Sequence, residues 1–312
     1  MTLPPVALTE GTAERPETAA PTATGLPAGK AKGMLRLGAE VYVQNRLAVV
    51  GLVVLGALVF FSFAGPFLYH TDQIDVNLAE ANQAPGPLHL LGTDATGYDE
   101  LGRLMVGGRA SLTIGFAAAV IATVVGTLWG AISGFFGGLV DAVLMRVVDA
   151  LLAIPILFLL LFLVTIVRPT VSVMILVLGL TAWLVPARLV RGESLTIRVR
   201  DYVQAVRMMG GSSWRAVFRH ILPNVAGTVI VNATFQVADA ILLIAYLGYL
   251  GLGISPPATD WGGMLSDGTN FIFPNYWWLI YPPGVVIVVA VVAVNFVGDG
   301  LRDAVEVRLQ RR

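Results

Sequence analysis

The chain has 312 residues, 56% of them hydrophobic and only 13% charged, with twenty basic against twenty acidic side chains and no cysteine. A soluble domain carries about 25% charged residues; with a mean hydropathy of +0.78 this sequence cannot cover a water-facing surface and reads as an integral membrane protein. The missing cysteines exclude disulfides, thiolate metal sites and cysteine nucleophiles, and the balanced charge points to no class of partner.

Residues 1–33 are a different material, rich in Ala, Pro, Thr and Gly with no apolar run. Such a segment buries too little surface to offset chain entropy and is expected to be a disordered tail, without the apolar core of a signal peptide. Gly25–Lys30 lacks the spacing, the Ser or Thr and the preceding strand of a phosphate loop. Residues 34–312 are expected to form one transmembrane domain.

Six spans are expected in chain order. Leu47–Leu68 carries no charge over 22 residues, about 33 Å of helix against a hydrocarbon core of about 30 Å. The second is expected over 109–132, ending at a glycine turn in Gly134–Gly138, and the third over Ala142–Val167 with Pro155 inside it. Pro169–Ala187 makes the fourth, Asn224–Leu247 the fifth, and Tyr281–Val297, opened by Pro282-Pro283, the sixth. Lys and Arg flank the N-terminal side, fill 188–219 and recur after span six. The loops 69–102 and 249–281 hold acids and no Lys or Arg. Positive charge marks the cytoplasmic side. Both termini and the arginine-rich segment are therefore expected inside, and the two long loops outside.

That arginine-rich segment, Tyr202–Pro223, reads YVQAVRMMGGSSWRAVFRHILP. Gly210-Gly211 breaks a helical pattern, Ser212 or Ser213 can cap the next helix, and Pro223 starts the next span. Two short helices with a bend are expected, exposing Met208, Met209, Trp214 and Phe218. Other polar residues fall near or inside spans. Arg146 and Asp149, three apart, can pair on one helix face, as a structural bridge or as a link to the cytoplasmic loop; Asp141 lies nearby. Asn232, Asp239 and Asn295 should face protein or water rather than lipid. Trp261, Phe271, Phe273, Tyr276, Trp277 and Trp278 read as an interfacial aromatic belt or as a substrate site. Gly126, Gly130 and Gly134 form a small-residue stripe, either an interface with a second subunit or packing within this one. The three histidines are scattered, and no catalytic constellation, metal cluster or Walker motif is present in the sequence.

Several blocks carry a family resemblance. Gln204-Ala205-Val206, Gly210 and Leu222-Pro223 resemble the Glu-Ala-Ala loop of ABC-importer permeases, departing at Gln204 and Val206. His89-Leu-Leu-Gly92-Thr93-Asp94, Gly97-Tyr-Asp99…Arg103 and Gly107-Gly-Arg109-Ala-Ser111-Leu112 are similar to the signature of the C-type permease of dipeptide, oligopeptide and nickel importers, with Leu90 and Tyr98 as departures. Further blocks are Gly134–Pro155, Tyr249–Gly262 and Asn295–Asp303; Ile244 stands where the family has a glutamate.

The resemblance covers 34–309. It implies an all-α membrane protein of the type I ABC-importer permease fold. Its role would be half of a translocation path for peptides, paired with a homologous B-type permease, with one or two ATP-binding subunits and an extracytoplasmic binding protein or lipoprotein. ATP and magnesium would be bound by those partner subunits, with no cofactor and no nucleic acid on this chain. On the matching positions, Gln204, Ala205, Gly210, Leu222 and Pro223 would form the ATPase-coupling element, with Trp214 and Phe218 of the same segment as its apolar contacts. Asp239 and Asn232 are candidates for the path. Two alternatives stay open: a same-branch importer of nickel or another small solute, and a secondary transporter. The second would be expected to show inverted repeats and midplane acids. The solute itself is not legible.

Overall fold

The computed structural model describes residues 34–272 and 275–310; the expected tail, 1–33, and Phe273 of the aromatic loop lie outside them. Every long element among the described residues is a helix: α1 (Met34–Gln44), α2 (Arg46–Leu68), α3 (Glu100–Phe136), α4 (Gly138–Leu152), α5 (Ile156–Ile166), α6 (Val171–Ala182), α7 (Leu184–Ile197), α8 (Asp201–Met208), α9 (Ser213–Ala216), α10 (Leu222–Leu247), α11 (Trp261–Thr269) and α12 (Tyr281–Gln310). Lipid offers backbone groups no hydrogen-bond partners, so helices that satisfy their own ladder are the form expected of such a sequence.

Five helical stretches are long and apolar enough to cross a bilayer: 46–68, 100–136, 171–197, 213–252 and 277–306. The expected third span is different. Pro155 does not sit inside a continuous helix; α4 and α5 meet there at 82°. Proline lacks the amide hydrogen and crowds the preceding turn, so the chain bends at Ala153–Pro155. With the bent pair counted as one, the spans number six.

Boundaries also shift. α3 begins nine residues before the expected 109, because Asp99 caps it: the Gly102 amide donates to Asp99 Oδ1 at 2.8 Å. The glycine turn falls at Gly137 and Gly138, both with positive φ, while Gly134 remains helical. The fourth span continues through Arg188 and Arg191 to Ile197. The last helix continues beyond Val297 to Gln310.

The centre of the bundle is α3. It packs on α2, α6, α7 and α10, and α12 closes the other side against α2 and α10. The glycine stripe settles its own question. A Cβ on Gly126 would meet Trp183 O and Pro186, and one on Gly134 would meet Ser194 and Arg191 O, all under 3.0 Å. Gly130 is pressed against Ala187 and Arg191. The stripe is where α7 lies on α3, so it is packing within this chain and not a face left for a second subunit.

Candidate functional site

The expected coupling segment is a helix–turn–helix. α8 ends at Met208, and Gly210 takes φ +78°, a conformation that disfavours any side chain. Ser212 then caps α9, accepting from the Arg215 amide at 3.2 Å. Beyond α9 the backbone widens into a π turn over Val217–Ile221 and runs straight into α10. The second short helix is thus not separate from the fifth span. Pro223, on the first turn of α10, lies within one continuous helical run from 213 to 252. Movement of the loop is consequently mechanically joined to that span.

Its inward face explains its position. Val203, Ala216, Val217, Ile221 and Val225 are buried with Ala131 and Phe135 of α3 and Val190 of α7, and Leu222 packs against this cluster. The Arg207 guanidinium lies 5.5 Å from the Phe135 ring centroid. Apart from Leu222, none of these anchors was singled out from the sequence, although Ala216, Val217, Ile221 and Val225 recur at near-helical spacing. The outward face is unusual: Met208 is 82% exposed, Met209 78%, Phe218 56% and Trp214 52%. Trp214 stacks on Phe218 at 6.1 Å and meets Phe136 edge-on at 5.7 Å. Gln204 is exposed and donates to Val199 O at 3.3 Å, and Ala205 is half-buried. The structure therefore brings Gly210, Trp214 and Phe218 to one surface, while Leu222 serves its foundation.

The bent third span is tied down next to this surface. Arg146 does not pair with Asp149; it is exposed. Asp141 is instead held by both Arg191 Nε and Nη2, at 2.5 and 2.6 Å, and also accepts from Ser133 Oγ. Asp149 pairs with Arg188. Both carboxylates thus clamp α4 to α7, a long-range pairing that spacing along α4 cannot reveal. A fork-shaped guanidinium bonding both oxygens of a carboxylate fixes orientation as well as charge.

The path candidates separate. Asp239 is exposed, and lines a mostly apolar cleft of about 480 Å³ with Gln236, Tyr246, Thr181 and the Leu151–Ile156 break. Asn232 lies one face-repeat earlier on α10 but borders another cleft, with Phe235, Thr228 and Arg302; its Oδ1 is buried without a hydrogen-bond partner. Ile244 is fully buried in the core.

The acidic end is knit tightly. Asp99 Oδ2 accepts from Tyr69 OH at 2.9 Å and meets His89 Nδ1 at 3.0 Å. Asp94 pairs with Arg103 at 3.3 Å, and Arg103 lies over the Tyr98 ring. Trp261 is fully buried, its Nε1 donating to Leu104 O at 2.9 Å, and Trp278 Nε1 donates to Thr93 O at 3.3 Å. The aromatic-belt reading fails for these two: they are core pins. Trp277 is exposed, and Phe271, Tyr276 and Trp278 stack in sequence.

The sequence that folds into these long helices around α3, with a loop on their arginine-rich end, matches known family models. Residues 126–311 match the binding-protein-dependent transport system inner membrane component, and residues 35–85 match the N-terminal transmembrane domain of oligopeptide transport permease C. The chain belongs to this permease family. The permease is 40% identical over 267 residues to the oligopeptide transport system permease protein OppC of Escherichia coli K12, covering 85% of this chain and 88% of that one. It is 38% identical to OppC of Bacillus subtilis, covering 86% and 88%. A peptide permease protein of Brucella suis, so named provisionally, shares 40% identity over 279 residues, 89% and 92% of the two chains. The permease is thus a multi-pass membrane component of an ABC importer. Among the described residues no group of three His, Cys, Asp or Glu is placed to hold a metal ion.

Proposed function

We propose that this chain is the permease subunit of an ATP-driven peptide importer, with its arginine-rich end in the cytoplasm. Its relatives named for oligopeptide transport support the substrate class, and the bias of Lys and Arg between loops supports the orientation. In this reading the chain pairs with a homologous permease and receives peptide from a binding protein. One or two ATPase subunits, which bind ATP and magnesium, dock on residues 202–223.

One observation carries the docking element. Met208, Met209, Trp214 and Phe218 are exposed together on a segment whose opposite face is locked into the bundle. Grouped aromatic and Met side chains at the tip of a rigid element match the core of a protein interface. Asp239, in its cleft beside the broken third span, is the path candidate that this reading favours. Trp214→Asp should preserve the permease in the membrane, while substrate-stimulated ATP hydrolysis by the assembled complex falls at least tenfold. Normal stimulated hydrolysis in that variant would remove the docking role.

A further inference from the structure

We propose that the acidic end of this permease holds a binding site for a primary ammonium group, centred on Glu100 and rimmed by Asp94 and Asp267. The site is a cavity of about 450 Å³ lined by the 94–103 segment, by α11 and by Pro256, Phe271 and Leu279. This is the size of a small-molecule pocket.

Glu100 is the observation that demands a ligand. It lines the cavity yet is only 3% exposed. Its backbone amide is satisfied by Gly92 O at 3.0 Å. No hydrogen bond or ion pair reaches its carboxyl group among the described residues, whereas Asp94, Asp99 and Arg103 beside it are engaged. Asp99 is taken by Tyr69, His89 and the Gly102 amide. Arg103, the cavity's only basic side chain, is committed to Asp94 at 3.3 Å. Asp267 stands at the mouth, and burial raises its carboxyl above the usual range, with the charge of Asp94 adding to the effect and Arg103 opposing it. The lining therefore carries three carboxyl groups against one guanidinium. A buried carboxyl group without a partner is costly to ionise, and a cation entering the cavity would offset that cost by pairing with the ionised form.

The chemistry of the cation is set by the walls. Met264, Phe271 and Leu279 give the cavity an apolar lining. A hydrated metal ion gains nothing from such walls, and the carboxylates are not grouped as metal ligands. An ammonium group presents three donors with no acceptor, which suits carboxylate oxygens on several sides. An apolar body attached to it would meet the remaining wall. The amino terminus of a short peptide has this form. That identification rests on the peptide-importer reading above; the ammonium site itself does not.

The test is binding of trialanine and of N-acetyl-trialanine to the purified full-length permease in nanodiscs at pH 7, by titration calorimetry. The free amine should bind at least tenfold more tightly than the acetylated peptide. Glu100→Gln should abolish that difference, and Asp267→Asn should reduce it, which covers the case in which the Glu100 variant does not fold. n-Butylamine should compete with trialanine. Equal affinity for the two peptides, or no binding of either, would overturn the site. Binding with the stated amine preference, but no peptide uptake by the assembled transporter in proteoliposomes, would leave the ammonium site standing and remove the peptide-importer reading.

Discussion

The two ends of this permease solve the same problem differently. At the acidic end most loop and helix polar groups find partners within the chain, the Glu100 carboxyl apart: Asp260 caps α11 through the Gly263 amide and accepts from the Ile254 amide, and Trp261 and Trp278 plug the interior. At the arginine-rich end only the inner face of residues 202–223 is satisfied, and four large apolar side chains stand in solvent. A surface that is finished by its own chain needs no partner to be stable. A surface held rigidly but left apolar is built for one.

The contrast can be broken most forcefully at Trp261. Its ring is fully buried, and its indole N–H is bonded to Leu104 O. Trp261→Ala should cost about 3–5 kcal/mol, seen as a large fall in the melting temperature of the detergent-solubilised protein and in membrane abundance. If that end were instead an interface, the isolated permease would barely respond. Next comes the clamp on the bent span. Asp141→Asn leaves Arg191 without its charged partner, but the pair is only partly sheltered from solvent; a loss of about 1–2 kcal/mol is expected, below the 3–5 of a fully buried pair. Arg146→Ala, by contrast, should be silent. A fourth variant, Phe218→Ala, should change the melting temperature little, within the usual about 0.5 kcal/mol for surface sites, while weakening capture of the ATPase subunits in a pull-down. Unfolding of Phe218→Ala would place that ring in the foundation rather than on the docking face.

How far the sequence could be read differs between the two ends for a physical reason. Local chemistry was legible: the Gly210 bend, a serine cap at Ser212 or Ser213 and a glycine turn somewhere within Gly134–Gly138 all arise from residues next to one another. So was the apolar outward set, Met208, Met209, Trp214 and Phe218, because nothing within the segment could cover it. What depends on long-range packing was not. Asp149 chose Arg188 of α7 over Arg146 of its own helix. Trp261 and Trp278 went into the interior because Ser111, Leu104 and Thr93 offered partners far along the chain. Pro155 marked a disturbance of the helix, but its local chemistry did not tell a kink in a continuous helix from the 82° break between α4 and α5. Of the residues expected in the coupling element, Gly210, Trp214 and Phe218 lie exposed, while Leu222 packs inward.

The smallest expected effect is one of pH, and it probes whether the acidic end is as self-satisfied as its hydrogen bonds suggest. Burial raises the Asp267 carboxyl, Arg103 opposes the shift and Asp94 adds to it. A carboxyl whose folded pKa lies above its unfolded value, about 3.9, binds its proton more readily in the folded state. Its contribution is fully present below the unfolded value and is lost as pH rises through the folded one. The ionised form therefore works against the fold near neutral pH. Asp267→Asn removes the titrating group, and it should raise the melting temperature at pH 7 slightly and flatten the decline between pH 4 and pH 7. Asp260, raised by burial but held by three backbone amides, is the control: its replacement by Asn should destabilise at both pH values, because an Asn cap returns one acceptor where the carboxylate offers two. A melting temperature for Asp267→Asn that falls at pH 7 would mean that the carboxylate is paired in the folded state, and that this end leaves less charge uncompensated than the cavity lining implies.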